Sequence, residues 1–350
     1  MVYILILIWN GEKYLPKLFE SLRNLDYPQD KIKIITFDSN STDGSINFLE
    51  NLNLKNLKII KLLKNSGFAQ GNNIGMKFTL ENNADYVVLL NQDTFVEPNF
   101  LTELIAPAER EEKIGVVQPL ILYYDKPEEI ASTGNQLHYL GYGWCKENHK
   151  LVSEYQKTKA PENKNLVYAS GAAVLYKTKM LKEIGLFDEN YFSYYEDTDI
   201  CLRAALAGYK TMLAPEAICY HDNKNPVSKN KIRYFWLEKN RLYLLLKFYQ
   251  TKTLFLILPM LILTDLGKLF SAFKNNFVWP WLKARLWFLI NFKKWHTARQ
   301  TIQKNRGVGD RELLKDFAGE IIYQETNNFL LNKIGNPILK LYWLIIKKII

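Results

Sequence analysis

Asn91-Gln92-Asp93 closes one apolar run, and Glu196-Asp197-Thr198-Asp199 opens a helical one about a hundred residues later. An apolar strand ending in a carboxylate suits a divalent cation, Mg2+ or Mn2+, that carries a nucleotide diphosphate. Asp93 is the expected ligand. Asn91, being neutral, suits a ribose or backbone contact, and Gln92 is counted with it on the binding edge. Carboxylates at a helix start are kept ionised by the helix dipole, so one can act as general base toward a hydroxyl. Asp197 is assigned that role, with Glu196 and Asp199 as rivals; simple capping is the bland account of the cluster. His221 ends a strand-like stretch after this helix and is a further candidate for the metal or the diphosphate. Sugar transfer from an activated nucleotide unites these features.

Further candidates follow other apolar runs. Asp38 opens a stretch rich in Ser, Thr and Asn (Asp38 to Ser45), where a carboxylate can accept the imide N–H of uracil or thymine. Ser41 or Thr42 is the expected cap of the next helix, and Ser41 is also counted among the nucleotide-sugar contacts. Asn65 to Asn73 is a Gly-rich loop opening a helix, a place that favours anions, with Asn65, Gly67 and Asn72 as donor contacts. Asn10 follows the first apolar run.

The elements that position them alternate. Strands are expected at Tyr3 to Trp9, Ile32 to Phe37, Leu57 to Leu63 and Tyr86 to Leu90. Helices are expected at Tyr14 to Leu22, Asp43 to Leu52 and Asn72 to Leu80. Strands separated by such helices build a parallel sheet with right-handed crossovers. Open sheets of this kind bind ligands beyond the carboxyl ends of their strands, where Asn10, Asp38, Asn65, Asn91 and Asp93 all fall. Tyr124 to Asn165 is polar and weakly periodic, a long loop or small subdomain. Leu166 to Tyr176 reads as a strand, Lys179 to Ile184 and Asp197 to Ala207 as helices.

The chain has 350 residues and a net charge of +10. From Asp222 onward there are 23 Lys/Arg against 8 Asp/Glu, while the preceding residues carry 23 against 28. A basic, aromatic-rich last third points to an anionic surface, nucleic acid or lipid. Leu242 to Leu263 is apolar but interrupted by Lys247, Gln250, Lys252 and Pro259. Trp279, Trp281, Trp287 and Trp295 stand among Lys and Arg. This favours helices lying in a membrane interface, on anionic lipid, over nucleic acid. No run reaches about 18 uninterrupted apolar residues, so a spanning helix is not required. Arg233, Lys239 and Arg241 are phosphate candidates, with a solvated basic face as the plainer account. Cys145, Cys201 and Cys219 have neither disulfide-framework nor metal-ligand spacing, which fits a reducing compartment.

Five blocks in order resemble the family-2 inverting glycosyltransferases of GT-A fold, over about Tyr3 to Arg241. They are Asp38 to Ser45, Asn65 to Asn73, Leu89 to Thr94, Ser170 to Ala173, and Gly185-Leu186-Phe187-Asp188 through Glu196-Asp197-Thr198-Asp199 to Tyr209. The nearest subgroup is rhamnosyltransferase-like, from bacterial polysaccharide assembly. Ile8-Trp9-Asn10 stands where the family usually has Ser- or Thr-Tyr-Asn, Gln92 where it has Pro, and Lys224 near an expected Gly. The resemblance implies Asp93 and His221 at the metal, Asp38 at the base and Asp197 as catalytic base.

The expectation is an α/β chain with a GT-A, mostly parallel sheet over 1–225 and a helical membrane-interface region over 226–350. It is a metal-dependent inverting glycosyltransferase at the cytoplasmic face, moving a sugar from a UDP- or dTDP-donor to a lipid-linked glycan. The rivals are a sugar nucleotidyltransferase, which needs a basic phosphate loop after the first strand, and a non-catalytic scaffold.

Overall fold

The computed structural model describes residues 1–157, 165–222, 230–322 and 329–350. They form two compact units. The first comprises Met1–Asn135, Cys145–Ala205 and Tyr209–Asn223; the second takes Gln136–Trp144, Leu206–Gly208 and the chain from Lys224 on. The expected boundary at 225/226 and the Lys224 position lie outside the described residues.

The first unit alternates as its periodicity dictates: β1 (Val2–Ile8), α1 (Leu15–Arg23), β2 (Ile32–Asp38), α2 (Ser45–Glu50), β3 (Leu57–Lys61), α3 (Gly67–Glu81) and β4 (Tyr86–Asn91). β3, β2, β1 and β4 lie side by side, all parallel. β1 is central and nearly all apolar, and Ile4, Leu5 and Ile6 are fully buried, as a strand covered on both faces must be.

The rest of the sheet is mixed. β5 (Thr94–Val96), α4 (Phe100–Arg110), β6 (Ile114–Tyr123) and β7 (Ile130–Ser132) follow, with β8 (Asn135–Leu137) and β9 (Gly143–Cys145) as a separate two-stranded pair. Then come α5 (Val152–Lys157), β10 (Ala173–Lys177), α6 (Thr178–Ile184), α7 (Glu196–Leu206) and β11 (Lys210–His221). β10 runs antiparallel between β4 and β6; β11 lies parallel to β6, and β5 pairs antiparallel with the end of β11. The polar stretch after Tyr123 thus contains short strands and a helix.

Two local expectations are corrected. The N-cap of α2 is Gly44, with no side-chain cap bond. Ser41 Oγ instead accepts from Asn10 N (2.9 Å), and Thr42 N donates to Asn10 Oδ1 (2.8 Å). Leu166 to Tyr176 is ladder-paired as a strand only from Ala173. Upstream, the N–H groups of Ala169, Ser170 and Gly171 go to Cys201 Sγ, Gln118 Oε1 and Asp197 Oδ2, so they cannot serve a ladder.

In the second unit, α8 (Lys231–Phe248) starts at Asn230, whose Oδ1 accepts from Ile232 N and Arg233 N at 3.0 and 3.1 Å. α9 (Thr251–Lys274), α10 (Val278–Ile290), α11 (Phe292–Asn305), α12 (Asp310–Leu313) and α13 (Asn336–Ile346) follow. The apolar run from Leu242 breaks at Tyr249–Gln250, yet Pro259 is absorbed inside α9. α9 has 24 residues and a mean hydropathy of 1.8 over its most apolar window, enough by length and composition to cross a membrane. Lys239 and Arg241 are buried, not on a solvated face. Arg241 pairs with Glu238 (3.2 Å), and the Lys239 ammonium lies over the Trp236 and Trp287 rings at 4.7 and 4.8 Å. His138 is likewise buried, its Nδ1 accepting from Leu140 N.

Candidate active site at the strand ends

β1, β2 and β4 end side by side, with Ile8 opposite Asp38 and Leu7 opposite Asn91. The residues that follow are held by one another. Asp38 Oδ2 accepts from Ser41 N at 2.9 Å. Its Oδ1 is buried and meets no donor among the described residues. A buried carboxylate oxygen left open costs free energy unless a ligand donor completes it, and an imide N–H is such a donor.

The loop after β1 is already committed. Asn10 N donates to Ser41 Oγ, Gly11 N to Ser45 Oγ (3.0 Å) and Glu12 N to Asp43 Oδ2 (3.0 Å). Three consecutive N–H groups spent on side chains cannot cradle phosphate, which counts against a nucleotidyltransferase loop here. Asn10 itself sits at φ 50° and ties this loop to the one after β2.

Gln92 makes a two-point clasp on the backbone of Trp9: Trp9 N donates to Oε1 (2.8 Å) and Nε2 donates to Trp9 O (3.1 Å). Its amide fastens the loops after β1 and β4 together. The Gly-rich loop is also structural in much of its length. Asn72 is buried, and its Nδ2 donates to Phe68 O. Asn65 is exposed, with Oδ1 accepting from Gly67 N. Gly67 sits at φ 83°, and a Cβ there would meet Phe192 O at 2.6 Å. Asn73 reaches across the chain to bond both Phe187 N and Phe187 O (3.0 and 2.9 Å). The loop therefore clamps the segment that leads into α7.

That segment is strained. Phe192, Tyr194 and Tyr195 stand at φ 65°, 69° and 72°, a region large side chains rarely occupy and one that clusters at functional sites. It delivers Glu196, Asp197 and Asp199 to the first turn of α7. They separate by role. Asp199 is fully buried and paired with Arg203 Nε at 2.6 Å. Arg203 also donates to the carbonyls of Ile184, Gly185 and Leu186. Asp199 is thus a brace for this segment. Glu196 is buried. Asp197 accepts from Gly171 N (3.1 Å), Thr198 N (2.6 Å) and Thr198 Oγ1 (3.2 Å). Burial pushes its carboxyl above the usual carboxylate range, against the opposing pull of those bonds.

A short relay joins the two acidic clusters. Asn91 N donates to Ala172 O at 2.9 Å, and the adjacent Gly171 N donates to Asp197 Oδ2. The end of β4, two residues before Asp93, is thereby linked to Asp197 at the start of α7. β11 brings in the third component. Asp222 N donates to Asp93 O (3.0 Å), and His221 Nε2 lies 3.4 Å from Asp93 Oδ1 and 3.5 Å from Asn91 Nδ2. Two ligands about 2.1 Å from one ion at right angles stand about 3 Å apart. Asp93 and His221 fit a cation as a pair. Among the described residues no third His, Cys, Asp or Glu joins them, which suits an ion completed by water and substrate phosphates.

Sequence reasoning missed three supports. Tyr14 OH donates to Asp222 Oδ2 at 2.6 Å, pinning the residue after His221; in sequence Tyr14 reads only as an apolar helix position. Gln118, fully buried in β6, accepts from Ser170 N (2.7 Å) and donates to Ser132 Oγ (3.3 Å). A Gln inside an apolar strand was the available signal. Gly171 gives its N–H to Asp197 and keeps its Cα close to Phe68, where a Cβ would approach the ring at 3.3 Å.

The profile described as "Glycosyl transferase family 2" matches residues 3–185. The chain is 25% identical over 238 residues to the dolichyl N-acetyl-alpha-D-glucosaminyl phosphate 3-beta-D-2,3-diacetamido-2,3-dideoxy-beta-D-glucuronosyltransferase of Methanococcus voltae, covering 65% of this chain and 68% of that one. It is 26% identical over 254 residues to rhamnosyltransferase WbbL of Escherichia coli (strain K12), covering 65% and 88%. Among solved structures it is similar in fold to the mannosyltransferase PcManGT from Pyrobaculum calidifontis, in complex with GDP-Man and Mn2+. The TM-score is 0.51 at 15% identity, over 87% of this chain and 84% of that one.

Proposed function

The chain belongs to glycosyl transferase family 2, and on that premise we propose that it is a metal-dependent, inverting transferase acting on a lipid-linked glycan. It is a glycosyltransferase of GT-A fold. In the proposed reaction Asp38 receives the imide of the nucleotide base through its open Oδ1. Asp197 removes the proton from the acceptor hydroxyl. The hydroxyl oxygen then attacks the anomeric carbon from the face opposite the diphosphate, whose C–O bond breaks, and the configuration inverts. Asp93 and His221 would hold a divalent cation, which when bound would supply charge neutralisation to the departing diphosphate. Asn10, Ser41 and Gln92 act by fixing the loops, and Asp199 by bracing α7. Glu196 remains the second candidate for the base.

Rhamnose is the proposed sugar, by likeness to the E. coli relative, and a lipid-linked acceptor by likeness to the Methanococcus one, whose name includes a dolichyl phosphate. A site at the cytoplasmic membrane face follows from that acceptor. The observation that carries the reading is the Asn91–Ala172, Gly171–Asp197 relay. The test is transfer from UDP- and dTDP-sugars to a polyprenyl-diphosphate-linked N-acetylglucosamine. Asp197→Asn is expected to lower kcat by roughly 10²–10⁴ while nucleotide diphosphate binding persists. Full transfer by Asp197→Asn would remove the proposed base, and Glu196→Gln would then be examined.

A further inference from the structure

α9 and α10 are inside out. Along α9 the outward stripe is Phe255, Leu258, Ile262, Leu266, Phe270 and Phe273, with Phe255 71% and Phe270 76% exposed. α10 continues it with Leu289 and Ile290, 77% and 82% exposed. The charged residues of both helices that form ion pairs face inward, while Lys283 of α10 is exposed with its ammonium over the Trp279 ring at 5.4 Å. Asp265 and Lys268 of α9 and Arg285 of α10 join Glu238 and Arg241 of α8. Lys268 pairs with Glu238, Arg285 with Asp265, and both Arg285 and Arg241 with Glu238 at 3.2 Å. A helix at a water-facing surface shows the reverse polarity.

Two bland accounts of a long apolar helix fail. α9 is no core helix, since only 11% of its apolar window is buried, and it is far from the N-terminus. Its 24 residues at 1.5 Å each measure about 36 Å, against about 30 Å of bilayer hydrocarbon. Lys252 and Lys274 stand exposed near its two ends, the Lys252 ammonium donating to Ile349 O at 2.7 Å. The turn at Asn275 to Phe277, with Asn276 at φ 59°, brings α10 back so that Arg285 meets Asp265. The surplus of Lys and Arg in this unit complements anionic headgroups.

We infer that the α9–α10 hairpin is embedded in bilayer hydrocarbon, its apolar stripe against acyl chains and its ion pairs inside, so that the protein is integral and not merely adsorbed. This deepens the membrane part of the function proposed above and rests on it for the purpose of the attachment. Its measurement does not use transfer, so either reading can fail alone.

The full chain is expressed, and membranes are washed with 1 M salt and then with carbonate at about pH 11, which strip adsorbed proteins. The protein is expected to stay in the pellet through both washes. A bimane probe on Ile262→Cys, in vesicles of phosphatidylcholine and phosphatidylglycerol, is expected to be quenched more by nitroxide deep on the acyl chain than at the headgroup. Leu258→Asp/Ile262→Asp changes only outward positions, so it is expected to shift most of the protein to the carbonate supernatant. Lys347→Glu/Lys348→Glu is expected to leave the carbonate pellet unchanged. Release by salt or carbonate, headgroup-weighted quenching, or a detergent-free soluble dimer covering this face would each overturn the inference.

Discussion

Asp197 gathers three hydrogen bonds yet has its carboxyl raised by burial, which is the balance a general base needs. A base works only when deprotonated. Its raised value predicts that kcat falls with decreasing pH along an acid limb lying above the ordinary carboxylate pKa of about 3.9. A kcat profile from pH 4 to 9 reads this directly; a limb at or below about 4 would assign the proton transfer elsewhere. Asp93 and His221 carry a different prediction. In the proposed site two protein ligands hold the ion and the substrate supplies the rest, so His221→Ala should raise the Mn2+ concentration for half-maximal activity at least about tenfold. The loss should be largely recovered at saturating Mn2+. A metal titration showing no displacement would take His221 out of the site.

At the scale of elements, the Gly-rich loop before α3 and the segment before α7 are one mechanical unit. The Gly67 left-handed backbone and its approach to Phe192 O leave no room for a side chain, and the strained Phe192–Tyr195 stretch depends on that contact. Gly67→Ala is expected to cost about 1–3 kcal/mol of stability, measured by urea unfolding, and to lower kcat in the remaining folded enzyme because Asp197 loses its support. Unchanged stability would mean that the loop does not clamp α7. The hydrogen bonds of Asn65 to Asn73 shape the segment before α7, a role beside the donor contact expected of this motif.

At the scale of the whole molecule, the proposed chemistry and the proposed attachment fall on different stretches of chain. The first unit is mildly acidic and buries its strands, as a water-soluble α/β fold does. The second exposes a row of large apolar side chains, each worth roughly 1.5–3 kcal/mol on removal from water. A charged surface around such a row is consistent with lipid on one side and anionic headgroups at the rim. The uneven distribution of charge along the sequence is the trace of this division.

The amino-acid order by itself determined the parallel half of the sheet, because burial on two faces writes continuous apolar runs and helices write a 3.6-residue period. It also marked the candidate site, since Asn10, Asp38, Asn91 and Asp93 are polar residues placed where those runs stop. Only the tertiary structure decided partners far apart in the chain. Gln118 supporting Ser170, Gly171 holding Asp197, Gln92 clasping Trp9 and Arg203 reaching the carbonyls of Ile184 to Leu186 are contacts between residues with no shared periodicity. The same is true of the inverted polarity of α9 and α10: composition shows that the helices are apolar, but the side on which their charges lie depends on which neighbours they meet. Local pattern records whether a residue leaves water; the identity of what replaces the water is a property of the folded chain.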